Sequence, residues 1–365
     1  MIIDSSNIDY LLDGLSFFAA GGGGLKERGR ERLLAAIRKK GRIEVTDPED
    51  LDQSMLSACT FYMGSASPDT DLTIRKRSDY GFINVISDNP IREAVLELEN
   101  HIEEGIGSII SLETGAGATS GSLAAASDLG IFPIDGDYAG RSIPEIYQTT
   151  PFFGKFLFHP MSAVDRFGNR IIISEVKSVF SLERIGKMLS ESSYTSLGMA
   201  GIVMKVGDLK DIYIKGTVSR AVEVGKIIST YGGSRLLNEL DNIVPVQQIF
   251  EGKLIGREWQ DRDGYMEGNH VFEGVGDFSG RIFRIWFRNE NHIGFLDDEV
   301  IITSPDLIVV LRKETNEPLN NTTMQENINV RILGVQADKK MRVKEALEVL
   351  GPRHFGFDFD YVPFR

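Results

Sequence analysis

Apolar positions along the first half of the chain switch repeatedly between helical and strand spacing. Ile8, Leu11, Leu12 and Leu15 recur at the three-to-four residue interval of a helix face, and the run Gly21-Gly22-Gly23-Gly24 ends that segment. A second helix is predicted over Lys26–Lys40, with Leu33, Leu34 and Ile37 on its apolar side and Gly41 as its stop. Residues 42–46 read as a strand, and Asp47-Pro48 opens a short helix with the aspartate as cap. Three continuous apolar runs follow, each ending in a glycine-bearing or polar loop. Residues 58–63 lead into Gly64-Ser65-Ala66. Residues 108–112 lead into Glu113-Thr114-Gly115-Ala116-Gly117-Ala118-Thr119, and residues 131–134 into Asp135-Gly136-Asp137-Tyr138-Ala139-Gly140-Arg141. Helical patterns over 90–104 and 120–129 separate these runs. Continuous apolar strands alternating with helices predict an α/β fold, a mostly parallel Rossmann-like sheet covered on both faces. In such a sheet the three loops share the carboxyl edge of the strands, where open α/β sheets bind ligands.

Beyond about residue 235 the texture changes. Residues 244–255, 268–273 and 281–287 alternate in strand fashion, and a helical pattern returns only at Lys344–Leu350. The expected organisation is an α/β domain over 1–235, a β-rich domain over 236–335, and a segment over 336–365 that packs back on the first. No internal repeat or low-complexity tract interrupts it.

Composition narrows the partners. The 365 residues carry 40 basic and 53 acidic side chains, a net charge of −13, which disfavours nucleic acid and anionic membrane surfaces as partners. No apolar run reaches the roughly 20 residues of a membrane helix, and Met1-Ile2-Ile3-Asp4-Ser5 lacks the features of a signal peptide. One cysteine, Cys59, allows no internal disulfide and suits a reducing cytoplasm. The expected partners are a small-molecule substrate and further copies of the chain.

The 38 glycines gather where chemistry is expected. Gly21, Gly22, Gly23 and Gly24 could form a backbone nest for an anion ahead of the Lys26–Lys40 helix, or a sharp turn that only glycine tolerates. Gly115-x-Gly117-x-x-x-Gly121, with Asp135 some twenty residues on, approximates a dinucleotide fingerprint; its third glycine falls one place late and Glu113 precedes it. Between Asp135 and Glu145 four charged groups, Asp135, Asp137, Arg141 and Glu145, could bind a hard cation, orient an amide or relay protons; a solvated charge cluster is the alternative. The five histidines show no zinc-ligand spacing, although His159 and His354 flank segments that could reach a cleft. The Gly-x-Ser-x-Gly elbow of serine hydrolases is absent.

These residues resemble one family. Phe18-Ala19-Ala20-Gly21-Gly22-Gly23-Gly24, Met63-Gly64 and the stretch from Asp135 to Glu145 occur in the order of the S-methyl thiohydantoin desulfurase family. Its members are often encoded beside hydantoinase and oxoprolinase genes. Arg288-Asn289-Glu290-Asn291, Ser304-Pro305-Asp306-Leu307-Ile308 and Gly351-Pro352-Arg353-His354-Phe355-Gly356 also fit. The middle loop departs: the family has Glu-x-Gly-Gly followed by Asn, whereas this chain keeps Glu113 but not the second glycine or the asparagine. The resemblance implies hydrolysis at a five-membered cyclic amide or thioamide, with water oxygen replacing sulfur at a ring carbon. Under it, Asp135 and Asp137 would activate water, directly or through a divalent metal. Arg141 would hold an anionic arm or developing charge, and Glu113 or Glu145 would orient ring N–H groups. Backbone N–H groups of Gly115, Gly117, Ala118 and Thr119 would face the oxyanion. Two other functions stay open: a dinucleotide-dependent oxidoreductase, and a non-catalytic accessory subunit of a hydantoinase-type complex.

Overall fold

The structure is a computed structural model and describes residues 1–64 and 70–364, so Ser65 and Ala66 of the first loop lie outside it. Two sheets organise the chain. The first has seven strands in the order Arg170–Ile173, Met161–Val164, Leu197–Lys205, Leu56–Met63, Ser108–Ser111, Phe132–Asp137 and Ile214–Lys215. The three strands read from the sequence sit side by side and parallel, with Thr60 opposite Ser111 and Ser111 opposite Asp137. The other four pairings of the six are antiparallel, so the expected mostly parallel Rossmann-like sheet is instead a mixed one. The reason lies in the connections. Met161–Val164 and Arg170–Ile173 form a hairpin closed by Asp165, whose carboxylate accepts from the Phe167 and Asn169 N–H groups, and a hairpin can only be antiparallel.

Alternation along the parallel strands sends side chains to two cores. Ala58 and Ile109 meet Ile91, Ala94, Val95 and Leu98 of helix Pro90–Ile102. Cys59 and Ile110 face the larger cluster, which includes Leu11 and Leu15 of helix Ile8–Phe18 and Ala221 and Val224 of helix Thr217–Thr230. Helix Ala116–Leu129 begins four residues before the helix expected at 120, because Gly115 and Gly117 enter its first turn directly from the strand.

The second sheet is antiparallel throughout, in the order Glu299–Thr303, Glu290–Leu296, Ile282–Arg288, Tyr265–Gly274, Val246–Arg262, Asn329–Val335 and Leu307–Arg312. It curls into a half-barrel, so that Asn291 Nδ2 reaches across to donate to the Ile308 carbonyl at 2.9 Å. Phe250, Phe272, Phe283 and Ile332 fill its inside, while Trp286, Ile293, Val309 and Leu333 join the main core beneath the first sheet. The C-terminal segment touches both layers: Gln148 Nε2 donates to the Val349 carbonyl, and Tyr361 Oη to Asp306 Oδ2. Among the described residues no helix is long and apolar enough to cross a membrane.

Arg141 ties the two sheets together. Its side chain is wholly buried at 0% exposure. Nη1 donates to the Pro305 and Asp306 carbonyls at 2.9 and 3.2 Å, Nη2 to the Asn291 carbonyl at 3.1 Å, and Nε to its neighbour's Ser142 carbonyl at 2.9 Å. A guanidinium is the one side chain with enough donors in a fixed fork to satisfy carbonyls of its own loop, of strand Glu290–Leu296 and of the Pro305-Asp306 turn at once. Replacing it with the similarly sized Met would orphan those acceptors. Arg141→Met is expected to lose about 3 kcal/mol of unfolding free energy in a denaturant titration, far more than a surface Arg→Met change.

Candidate functional site

A cleft of about 1590 Å³ opens where the carboxyl ends of Leu56–Met63 and Ser108–Ser111 meet the second sheet. Gly23, Gly24, Glu113, Gly117, Ala118 and Glu145 line it from the first sheet's side, and Asn289 and Glu290 from the other. Helix Val179–Ser193 adds Glu183 and Lys187.

Glycine geometry shapes the floor. A Cβ on Gly22 would stand 2.0 Å from Glu290 Oε1, so the glutamate can lie there only because the residue has no side chain. The N–H groups of Gly23 and of Glu290 itself face that carboxylate. The one N–H of the four-glycine run that faces an acid, that of Gly23, thus faces a carboxyl supplied by the protein. The run is clamped through its carbonyls. Asn321 N–H donates to Gly21 O, Asn320 Nδ2 to Gly22 O, and the Gly117 and Ala118 N–H groups to Gly23 O at 2.8 and 3.3 Å. Gly23, at φ +71°, brings its backbone against Gly115, where an added Cβ would meet the Gly115 Cα at 2.7 Å.

The fingerprint glycines Gly115 and Gly117 therefore serve loop-on-loop packing. Gly115 N–H donates to Thr119 Oγ1, and Thr119 N–H to the Gly115 carbonyl. With the Gly117 and Ala118 N–H groups directed at Gly23, the four donors expected to face an oxyanion are all bonded inside the protein. Asp135 Oδ1 accepts from the Val218 and Ser219 N–H groups, both at 3.0 Å, at the start of helix Thr217–Thr230. Asp137 is buried and accepts from the Ala139 and Gly140 N–H groups and from Thr114 Oγ1. Burial pushes its carboxyl up to about 6, against the pull of those donors. Neither aspartate lines the cleft. Among the described residues no three His, Cys, Asp or Glu side chains converge as a metal-binding group.

The charged groups that do meet in the cleft came from scattered places in the sequence. Glu113 is half-buried, and its Oε2 accepts from the Ile143 N–H at 2.8 Å. Burial and then the neighbouring charge of Glu290 push its carboxyl well above the usual range. Glu290 is pushed up to about 8, chiefly by burial, although Arg141 and Lys187 pull it down. Its Oε2 is buried with no hydrogen-bond partner among the described residues. Two such carboxyls facing one cavity hold at least one proton between them near neutral pH. Lys187 is buried; its Nζ donates to the Gly64 carbonyl at 3.1 Å, stands 3.8 Å from Glu183 Oε1 and lies over the Tyr265 ring. Glu183 accepts from the Ile146 N–H and from Tyr265 Oη, and burial raises its carboxyl too. Glu145 Oε2 is held by Gln148 Nε2 and by His354 Nε2, the latter at 2.5 Å. The structure thus brings Glu113 and Glu145 together with Glu183, Lys187 and Glu290. Asp135, Asp137, Arg141 and His354 stand behind them as supports.

Glu290 was legible only as part of a quoted motif, and Glu183 and Lys187 not at all. An i,i+4 Glu–Lys pair on an amphipathic helix normally marks a solvated face. Only the second sheet closing over it buries the pair.

The chain matches the family model described as S-Me-THD-like, N-terminal domain, over residues 6–175, and that described as S-Me-THD-like, C-terminal domain, over residues 177–364. It belongs to this S-Me-THD-like family, the S-methyl thiohydantoin desulfurase family that its motifs resemble. A crystal structure of a protein from Chromobacterium violaceum shares the fold, with a TM-score of 0.82 at 18% identity over 100% of both chains. A search of curated proteins finds no match.

Glu290 couples the cleft to stability. Its folded carboxyl titrates near 8 against an ordinary 4.5, so the native state keeps a proton that the unfolded chain has released between those values. Stability from this group is complete below about pH 4.5 and is lost as pH rises through about 8. Glu290→Gln removes that loss. In denaturation at pH 5 and pH 8.5 the variant should gain on the wild type by roughly 2–4 kcal/mol between the two.

Proposed function

We propose that the chain hydrolyses a thiohydantoin-like ring in this cleft, using Glu113 and Glu290 as a proton-sharing pair. The observation that carries the reading is the unpartnered Oε2 of Glu290, buried in a cavity that a second raised carboxyl also lines. Membership of the S-Me-THD-like family supports the substrate class.

For a ring carbon bearing an S-methyl group, the ionised carboxyl takes a proton from water as the oxygen attacks. The protonated carboxyl gives its proton to the ring nitrogen, which receives the C=N electron pair. Collapse to C=O then breaks the C–S bond. The hydroxyl proton returns to the pair, and the pair protonates the departing sulfur. Water's two protons end on nitrogen and on methanethiol, and the pair again holds one proton. Lys187, which both carboxyls feel, stabilises negative charge developing between them. Glu145, fixed by Gln148 and His354, orients a ring N–H. Asp137 and Arg141 act by holding the loops. Cys59, fully buried, is compatible with a reducing cytoplasm, the location we propose.

Purified protein should release methanethiol and the matching hydantoin from an S-methyl thiohydantoin. The rate should fall at alkaline pH as the two raised carboxyls of the pair lose their protons. Glu113→Gln and Glu290→Gln should each lower kcat by about 10²–10⁴-fold. Folded wild-type protein that releases no thiol from any thiohydantoin would overturn the reading.

A further inference from the structure

The cleft is larger than the roughly 300–1,000 Å³ that encloses a drug-sized ligand, so a bare five-membered ring leaves most of it empty. The remainder is lined by charges of both signs, several of them paired with one another. The floor is acidic, with Glu113, Glu183 and Glu290 against one Lys187. The outer wall is one face of helix Lys26–Lys40, where Arg28, Arg32 and Lys39 recur at i, i+4 and i+11. Arg28 is paired with Glu31 at 3.2 Å and Lys39 with Asp128 at 2.9 Å. Among the described residues Arg32 has no carboxylate partner. Its guanidinium lies 4.6 Å from the centre of the Tyr62 ring, and its only hydrogen bond among these residues is a long one of 3.5 Å from Nη1 to the Gly117 carbonyl.

That guanidinium is held in place. Tyr62 packs on Gly121, where an added Cβ would meet its ring and hydroxyl at 2.6 Å. Tyr62 Oη donates to Asn89 Oδ1, and Asn89 Nδ2 donates back to the Gly121 carbonyl. The ring holds the guanidinium at the cleft wall, and with one long hydrogen bond made among the described residues it keeps donors for a planar, two-oxygen anion. Arg141, the arginine expected to hold an anionic arm, has its donors directed at backbone carbonyls and cannot take that role.

We propose that Arg32, stacked on Tyr62 at the cleft wall, receives a carboxylate on the substrate, so that the preferred ring carries an acidic side arm. This rests on the reading of the cleft as a thiohydantoin-type site. The polarity of the cleft then sets the orientation. A carboxylate is repelled by the acidic floor and drawn to Arg32, which turns the ring toward Glu113 and Glu290.

Calorimetric titration with two near-isosteric product rings tests it: hydantoin bearing a carboxymethyl arm, and hydantoin bearing the neutral carbamoylmethyl arm. Wild-type protein should prefer the acid by about 10- to 100-fold. Arg32→Gln should abolish that preference, and Arg32→Lys should restore part of it because charge is kept while the fork is lost. Equal binding of the two rings by wild type, or an Arg32→Gln variant that weakens both by the same factor, overturns the assignment of Arg32 and leaves the function reading standing. Binding of neither ring overturns the function reading, and the acidic-arm inference with it.

Discussion

A carboxylate pressed against a bare backbone is the constraint on which the rest of this structure turns. Glu290 comes from the second sheet and Gly22 from the loop beneath the first, and the two meet at a distance no side chain would permit. Holding them there needs the layers to be locked. Asn291, Asn320 and Asn321 bond the carbonyls of Ala20, Gly22 and Gly21 in turn, and Arg141 gathers carbonyls from the loops at Asn291 and Pro305. These groups donate to backbone carbonyls and leave the Glu290 carboxyl to the charges around it, Glu113, Arg141 and Lys187. The carboxyl is therefore buried at the floor of the cleft, and its Oε2 has no hydrogen-bond partner among the described residues. A raised affinity for protons follows from that geometry.

The same junction fixes the shape of the middle loop. The contact that matters is between Gly23 and the backbone of Gly115 and Gly117, where an added Cβ on Gly115 would meet the Gly23 Cα at 2.6 Å. Ala116, between them, is buried in the main core with its methyl packed.

Much of the first layer was legible in the chain itself. The three parallel strands, helix Lys26–Lys40 and the loop edge all follow from apolar runs and glycine stops, because those strands are buried on both faces and read as unbroken hydrophobic stretches. What escaped was sheet direction. Leu197–Lys205, with its Gly198, Ala200 and Gly201, carries little strand signal, yet it occupies the centre of the sheet beside Leu56–Met63. Small residues are needed there because Gly198 lies against the backbone of Pro90 and Ile91 at the start of the covering helix. The site was half legible for a related reason. Glu113 and Glu145 stand on strand-end loops, where pattern points to them. Glu183, Lys187 and Glu290 take their meaning from a partner layer more than a hundred residues away in the case of Glu290 and Glu113, and no local pattern encodes that.

The division of labour among the arginines and aspartates shows how little residue type alone says about role. Asp135 and Asp137 concentrate charge at a strand end, the usual look of a catalytic loop, but each is surrounded by N–H or O–H donors that the fold itself must satisfy. A carboxylate with its acceptor sites filled by backbone stabilises a turn or a helix start and has little left for a substrate. Arg141 and Arg32 invert the expectation in the same way. The arginine in the conspicuous motif is saturated by carbonyls, and the one on an ordinary charged helix has its fork stacked and mostly unbonded. Unspent hydrogen-bonding capacity at a cavity wall is thus the better guide to chemistry. By that measure the cleft has an acidic, proton-holding end at Glu290 and a cationic end at Arg32, and a molecule with both a polar ring and an anion is what such a pair of ends can orient.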